Sequence, residues 1–267
     1  FAASSALDPT ANDVTLEVRD QDGYVLYAAT VPGSEFVADR GGTRFLYWIP
    51  NGRAPVYNGL QKLLLTLDGE GGVDVELTVV PLDGWTRDLW FDGTGLPWIP
   101  PSPNMPSLES ATHYPGTCLF EGTSLSVGRG TDAPFQHVGA PWLDAPAVVA
   151  RLNALGLPGA RFEATTFTPR EPGDGKFAGE EVAGIRFVAT DRVAYDPTVA
   201  AIAALIEIRR AHPEELRWNV AHFDRLAGTD RVRLAIDAGE SLREVVGPWE
   251  AEVRAFARYL GPYLLYE

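Results

Sequence analysis

The stretch Thr117–Thr131, TCLFEGTSLSVGRGT, joins a short apolar run to a segment rich in glycine and hydroxyl residues. The apolar residues lead directly into Glu121, and Arg129 follows past a glycine. Such a run predicts a buried strand with Glu121 at its carboxyl end, where α/β folds place their sites. The rest of the stretch is either a turn-rich connector or one wall of a site for a polyhydroxylated ligand.

Strand and helix patterns alternate after this stretch. Ala147–Leu155 has a helical pattern that Gly156 closes, whereas Arg161–Phe167 and Ile185–Thr190 have strand patterns. Asp196-Pro197 supplies a cap and a first helical residue for another helix. The apolar stripe of that helix is Val199, Ile202, Ala203 and Ile206. This alternation predicts an α/β layer.

The carboxyl-terminal residues predict an amphipathic helix. Ser241-Leu-Arg-Glu244 is a capping box, and apolar residues recur behind it at helical spacing. We therefore expect one apolar face that points inward. Its residues are Val245, Trp249, Val253, Phe256 and Leu260.

The first 72 residues predict a small antiparallel β segment, because strand patterns alternate with glycine-containing turns. The strand patterns are Val14–Val18, Tyr24–Val31, Phe45–Ile49 and Leu63–Leu67, and the turns contain Asp22-Gly23, Gly41-Gly42 and Asn51-Gly52. Asp68–Gly72 is the predicted boundary. The predicted fold class is α+β to α/β, with this segment at residues 1–72 before a mixed-sheet α/β domain at residues 73–267.

Composition restricts the function. The 267 residues carry a net charge of −14, which disfavours nucleic acid and anionic membranes as partners. No apolar run approaches the roughly 18 residues that span a bilayer. Cys118 is the only cysteine, which excludes an internal disulfide and a thiolate metal cluster, and we expect it to be a small buried hydrophobe.

Several catalytic motifs are missing from the sequence. There is no G-x-S-x-G elbow, no Walker loop and no complete dinucleotide fingerprint. The four histidines show no metal-ligand spacing. We therefore expect no cofactor and no metal site.

The remaining features favour carbohydrate chemistry. Sugars are cleaved by carboxyl groups, and aromatic and hydroxyl side chains bind them. The proline-rich stretch Trp85–Tyr114 combines tryptophans with acidic residues, and its prolines predict a rigid wall. The alternative is that these tryptophans pack in the core. Arg129 is close enough in sequence to pair with Glu121, either as a structural ion pair or to orient a carboxylate that binds hydroxyl groups or activates water.

Residues 90–142, WFDGTGLPWIPPSPNMPSLESATHYPGTCLFEGTSLSVGRGTDAPFQHVGAPW, resemble the hallmark block of the bacterial exo-β-N-acetylmuramidases of the NamZ type. The resemblance covers roughly residues 73–267, whereas residues 1–72 look like a repeat-type β-module of secreted bacterial proteins. Further matching segments are Lys176–Gly179, Gly184–Arg186, Phe223–Leu226, Glu240 and Pro262–Tyr266.

This resemblance implies release of terminal N-acetylmuramic acid from peptidoglycan fragments, outside the cytoplasm in the periplasm or the extracellular space. It also implies a Rossmann-like first domain that supplies catalytic glutamates, which residues 1–72 do not show. Glu121 is the candidate catalytic residue, and a non-catalytic muramyl-sugar binding or accessory module is the alternative. The candidate substrate-binding residues are Ser102, Asn104, Tyr114, Thr123, Arg129 and Thr131.

Overall fold

The computed structural model describes residues 82–266 continuously and, before them, the backbones of six strands. Two compact units are distinguished, and each is described by itself. One contains these strands and extends to Thr86, and the other runs from Arg87 to Leu265. None of the helices formed by the described residues has the length and apolar character needed to cross a bilayer.

The six described strands of the first unit pair in antiparallel fashion. The strands are β1 (Val14–Arg19), β2 (Val25–Val31), β3 (Val37–Ala38), β4 (Arg44–Trp48), β5 (Leu60–Leu67) and β6 (Val73–Val79). β1 pairs with β2, and the other four form a sheet in chain order. The predicted glycine turns and Asp68–Gly72 lie outside the described residues. The division between residues 72 and 73 stays a prediction.

The second unit combines helices with one small sheet. Its helices are α1 (Leu108–Thr117), α2 (Ala145–Ala154), α3 (Pro197–Ala211), α4 (Val220–Ala227), α5 (Arg231–Asp237), α6 (Leu242–Val246) and α7 (Trp249–Leu260). Its strands are β7 (His137–Ala140), β8 (Ala160–Phe167) and β9 (Val182–Ala189), and short 3-10 helices occupy Phe91–Thr94, Cys118–Gly122 and Gly261–Tyr263.

The sheet of the second unit is antiparallel, which corrects the predicted mixed sheet. Its strand order is β7-β9-β8, and β9 runs antiparallel to both neighbours. β7 and β8, which α2 connects, therefore run in the same direction, but β9 lies between them. The alternation of strands and helices in the sequence could not show this insertion. The described part of the unit is thus α+β.

Helix α3 forms the centre of the core. It begins as predicted, because Asp196 Oδ1 accepts the main-chain N–H groups of Thr198 and Val199 at 2.9 and 3.0 Å ahead of the first turn. Every residue of Ala200–Ile208 is buried, so the helix is covered around its circumference and not along one stripe. Gly116 of α1 permits this packing, since a Cβ there would lie 1.9 Å from the carbonyl oxygen of Pro197.

The carboxyl-terminal helix prediction is partly wrong. The capping box at Ser241 and Glu244 is present, but it starts only the short α6, and the chain turns at Gly247-Pro248 before α7 begins. Val253 and Phe256 of α7 are 65% and 59% exposed. Because the predicted helix is broken in two, its second half does not bury an inward apolar face.

Candidate functional site

Glu121 lies in a 3-10 helix and not at the end of a strand, which corrects the sequence prediction. Helix α1 ends at Thr117, and Cys118–Gly122 continues it as a tighter turn. Leu119 and Phe120 are buried in the core, so the apolar run anchors this turn. Cys118 is half-buried against the core, and burial raises the pKa of its thiol to about 11.

Glu121 and Arg129 form the ion pair that their spacing predicts. Arg129 donates from Nε to Glu121 Oε1 at 3.1 Å, and its Nη2 donates to the same oxygen. The two side chains are only 24% and 16% exposed for Arg129 and Glu121. Glu121 Oε2 accepts no hydrogen bond from any residue in the described part of the chain. The carboxylate is therefore fixed through one oxygen, while the other accepts no hydrogen bond from these residues.

Aromatic side chains hold the arginine in place. The Arg129 guanidinium carbon lies 5.3 Å from the ring centroid of Phe135, and Tyr114 packs edge-on against the same ring at 4.9 Å. Burial raises the pKa of the Tyr114 phenol, and the nearby charges of Cys118 and Glu121 add to this. Tyr114 thus contacts the ion pair through the Phe135 ring that both it and Arg129 touch.

Lys176 fixes the main chain around Glu121, and the sequence placed it in a matching segment without predicting this contact. Its ammonium donates to three main-chain carbonyl oxygens, those of Glu121 at 3.2 Å and of Thr123 and Leu125 at 2.8 Å. An ammonium has three donors, so all of them are used. Burial lowers the pKa of Lys176, while the charges of Asp174 and Glu121 oppose this shift.

Gly122 and Thr123 have structural positions in the same turn. A Cβ at Gly122 would lie 2.6 Å from Phe223 Cα, so the turn packs directly on the main chain of α4. Thr123 is 4% exposed. Its hydroxyl donates to the carbonyl of Phe120 at 2.7 Å and accepts the N–H of Leu125 at 3.1 Å. The predicted role of Thr123 in substrate binding stays a prediction.

Ser102 and Asn104 lie in a separate turn. The hydroxyl of Ser102 accepts the N–H of Asn104 at 3.2 Å, and its carbonyl accepts the N–H of Met105 at 2.9 Å. In residues 82–266, neither side chain makes a hydrogen bond to Glu121 or Arg129. Of the predicted residues, the structure therefore brings together Tyr114, Glu121 and Arg129 by direct or shared contacts, and not these two.

Two tryptophans of the proline-rich stretch have packing partners. Trp98 packs against the core and donates its indole N–H to the carbonyl of Met105 at 3.1 Å. Trp90 lies under the guanidinium of Arg192, which also pairs with Asp92 at 2.6 Å. Trp98 thus fits the alternative that these tryptophans pack in the core, whereas Trp90 contacts Arg192 instead.

Thr131 lines a groove that follows Arg129 along the chain. The groove has a volume of about 810 Å³ and lies between the start of α1, residues 130–133, the start of β7, the end of β8 and Arg186 of β9. Thr131 Oγ1 donates to the carbonyl of Gly128 at 2.7 Å and lies 3.2 Å from His137 Nε2. Glu121 and Arg129 do not line this groove, although Arg129 is two residues from Thr131.

Two buried histidines near the groove are neutral. His137 stacks on Phe167 with ring centroids 4.0 Å apart, and burial lowers its pKa to about 4, with Asp132 opposing and Arg186 reinforcing this shift. Burial also lowers the pKa of His113 to about 4, and its Nδ1 lies 2.8 Å from the Tyr195 hydroxyl. Among the described residues, no group of three or more potential ligands is arranged to hold a metal ion.

Comparisons with known proteins identify the family. The model for "Exo-beta-N-acetylmuramidase NamZ, C-terminal" matches residues 112–266, and the corresponding N-terminal model matches residues 52–109. The chain therefore belongs to the NamZ exo-β-N-acetylmuramidase family. The second match includes residues 52–72, which corrects for these residues the expectation that residues 1–72 show no likeness to the family. Ser102 and Asn104 fall in the N-terminal match, and the other five predicted site residues fall in the C-terminal match.

Individual relatives agree with this assignment. The chain is 35% identical over 215 residues to the peptidoglycan β-N-acetylmuramidase NamZ of Bacillus subtilis (strain 168), covering 79% of this chain and 51% of that protein. Crystal structures of two DUF1343 family proteins from Bacteroides fragilis NCTC 9343 are also similar. BF0371 has 26% identity and a TM-score of 0.62 over 69% of this chain, and BF0379 has 28% and 0.51 over 72%. Each match covers 49% of the solved chain, so this chain spans about half the length of its relatives.

Proposed function

We propose that this chain acts in the release of terminal N-acetylmuramic acid from peptidoglycan fragments, by hydrolysis of the β-glycosidic bond that follows this sugar. The observation that carries the proposal is the Glu121 carboxylate, which Arg129 holds through one oxygen inside the segment that matches the family. The printed activity of the Bacillus subtilis relative supports the same substrate. Because peptidoglycan lies outside the cytoplasm, we propose that the protein acts in the periplasm or the extracellular space.

Glu121 is proposed to act directly on the sugar. Arg129 holds Oε1, so Oε2 can bind a sugar hydroxyl or a water molecule while the carboxylate keeps its orientation. Lys176 keeps the main chain of this turn fixed while the ligand binds. A carboxylate held in this way costs less ordering energy when it meets the substrate than a mobile one would.

A binding or accessory role is the second candidate. Hydrolysis of a glycosidic bond ordinarily needs two carboxyl groups on either side of it. In residues 82–266 the partner of the Glu121 side chain is the Arg129 cation, and a carboxylate held in this way can bind sugar hydroxyls without acting on the bond. In this case the chain would hold the muramyl sugar without cleaving it.

Release of a chromophore from a chromogenic β-N-acetylmuramide separates these functions. The proposal predicts release by the full chain and a loss of at least about a hundredfold in Glu121→Gln, which keeps the shape of the side chain and removes its charge. Glu250→Gln, on the exposed surface of α7, is the matched control and should retain activity. Sugar binding without release would support the accessory role, and an unchanged rate in Glu121→Gln would exclude Glu121 from the chemistry.

A further inference from the structure

The groove beside Thr131 is built from polar groups on several elements. Gln136 and His137 are 6% and 7% exposed and line it from the start of β7. The amide Nε2 of Gln136 donates to the hydroxyls of Ser107 and Ser110 at 3.3 and 3.2 Å. Buried polar side chains that are held in this way form a preorganised surface for a polar ligand.

The two arginines of the groove differ in their partners. Arg186 pairs with Glu109, with 3.4 Å between Nη2 and Oε1. The Arg170 guanidinium forms no ion pair or hydrogen bond with any side chain or carbonyl in residues 82–266. A groove with one unpaired guanidinium suits a ligand that carries one anionic group. An arginine binds a carboxylate through two parallel hydrogen bonds.

The main chain of Arg170 is nevertheless fixed. Its N–H donates to the carbonyl of Gly130 at 2.8 Å. Gly130 has a φ of +78°, and a Cβ there would lie 2.3 Å from the carbonyl oxygen of Arg170. This close approach places Arg170 directly beside the loop that also carries Arg129 and Thr131, so the groove and the Glu121 ion pair share one loop.

The neighbouring groups restrict the class of ligand. Asp132 and Glu109 also line the groove, and their charges disfavour a ligand with several negative groups. The hydroxyl of Thr165 and the amide oxygen of Gln136, which accepts no hydrogen bond from residues 82–266, suit a sugar. The combination favours a sugar that carries a single carboxylate.

We propose that this groove binds the lactyl carboxylate of N-acetylmuramic acid, with Arg170 as its charged partner. This inference rests on the proposed function, since it concerns how the same substrate is selected. N-Acetylglucosamine has the same ring and acetamido group but lacks the lactyl group. Arg170 is thus a specificity-determining residue that separates the two amino sugars of peptidoglycan.

The test is calorimetric titration of the full chain with N-acetylmuramic acid and, separately, with N-acetylglucosamine. The wild type should bind the muramyl sugar about ten- to a hundredfold more tightly, as expected for one charge-assisted contact. Arg170→Ala should remove this preference and leave the affinity for N-acetylglucosamine unchanged. Arg170→Lys should restore part of the preference, and Arg254→Ala on α7 should behave as the wild type.

Three results would overturn the inference. They are an unchanged preference in Arg170→Ala, an equal loss of affinity for both sugars, and the absence of any preference in the wild type. If the chain hydrolyses the chromogenic muramide while one of these results holds, the groove proposal fails and the proposed function stands. If the preference depends on Arg170 but no hydrolysis occurs, the groove proposal stands and the proposed hydrolysis fails.

Discussion

Replacement of Lys176 by methionine tests the architecture of the site most sharply. Methionine keeps an unbranched apolar stem of similar length but removes the ammonium group. The carbonyls of Glu121, Thr123 and Leu125 then lose a common donor. We expect the turn that carries Glu121 to loosen, because no other group in residues 82–266 bridges these three carbonyls.

The magnitude follows from the three contacts. A buried polar group that loses its partner costs about 1–3 kcal/mol. Part of this cost is returned, because burial lowers the pKa of Lys176 and the charged ammonium is therefore itself costly to bury. We expect the free energy of unfolding to fall by about 2–4 kcal/mol. For a unit of this size, that corresponds to a decrease in Tm of roughly 4–16 °C.

Thermal unfolding followed by circular dichroism at neutral pH measures this change, and the same variant is then titrated with N-acetylmuramic acid. Arg254→Met is the control, since it removes a positive charge from an exposed position of α7. A Tm for Lys176→Met within about 1 °C of that of the control would show that the three hydrogen bonds of Lys176 do not stabilise the turn. Full stability with lost sugar binding would instead place Lys176 in contact with the ligand.

Three further perturbations test other parts of the account. Gly122→Ala should lower the free energy of unfolding by about 1–3 kcal/mol in denaturant titrations, because its Cβ meets the main chain of α4, whereas Gly173→Ala has open space and should change little. Stability should fall as the pH drops from 6.5 toward about 4, since the unfolded chain binds protons that the buried, neutral His113 and His137 do not bind. A flat profile over this range would show that these histidines are not buried as described. Arg129→Ala should lower the affinity for N-acetylmuramic acid at least about tenfold, and an unchanged affinity would show that the ion pair is only structural.

Features governed by local chemistry were predictable from the sequence. The start of α3 depends on Asp196-Pro197, and the start of α6 depends on Ser241 and Glu244, so a few adjacent residues determine each. The pair of Glu121 and Arg129 was also predictable, because only eight residues separate them and glycines allow the chain to fold back.

Features that depend on distant parts of the chain were not predictable. Lys176 reaches carbonyls that lie 51 to 55 residues earlier in the sequence, and no local pattern indicates that contact. The insertion of β9 between β7 and β8 is likewise a property of the packed sheet. The run Cys118–Phe120 was expected to form a strand because a short apolar run has the same pattern in a strand and in a buried helical turn.

The groove was missed for a related reason. Thr131 was singled out from its loop, but Arg170 follows β8 and Arg186 lies in β9. An exposed arginine without a pattern around it gives no signal in a single sequence. Its significance appears only when the fold places it beside buried polar groups.

The most direct test of the central claim is a crystal structure of the full chain with N-acetylmuramic acid. The account predicts a sugar hydroxyl within hydrogen-bonding distance of Glu121 Oε2, about 2.5–3.0 Å, while Arg129 still donates to Oε1. Sugar density on another face of the unit, with Oε2 in contact only with solvent, would contradict it.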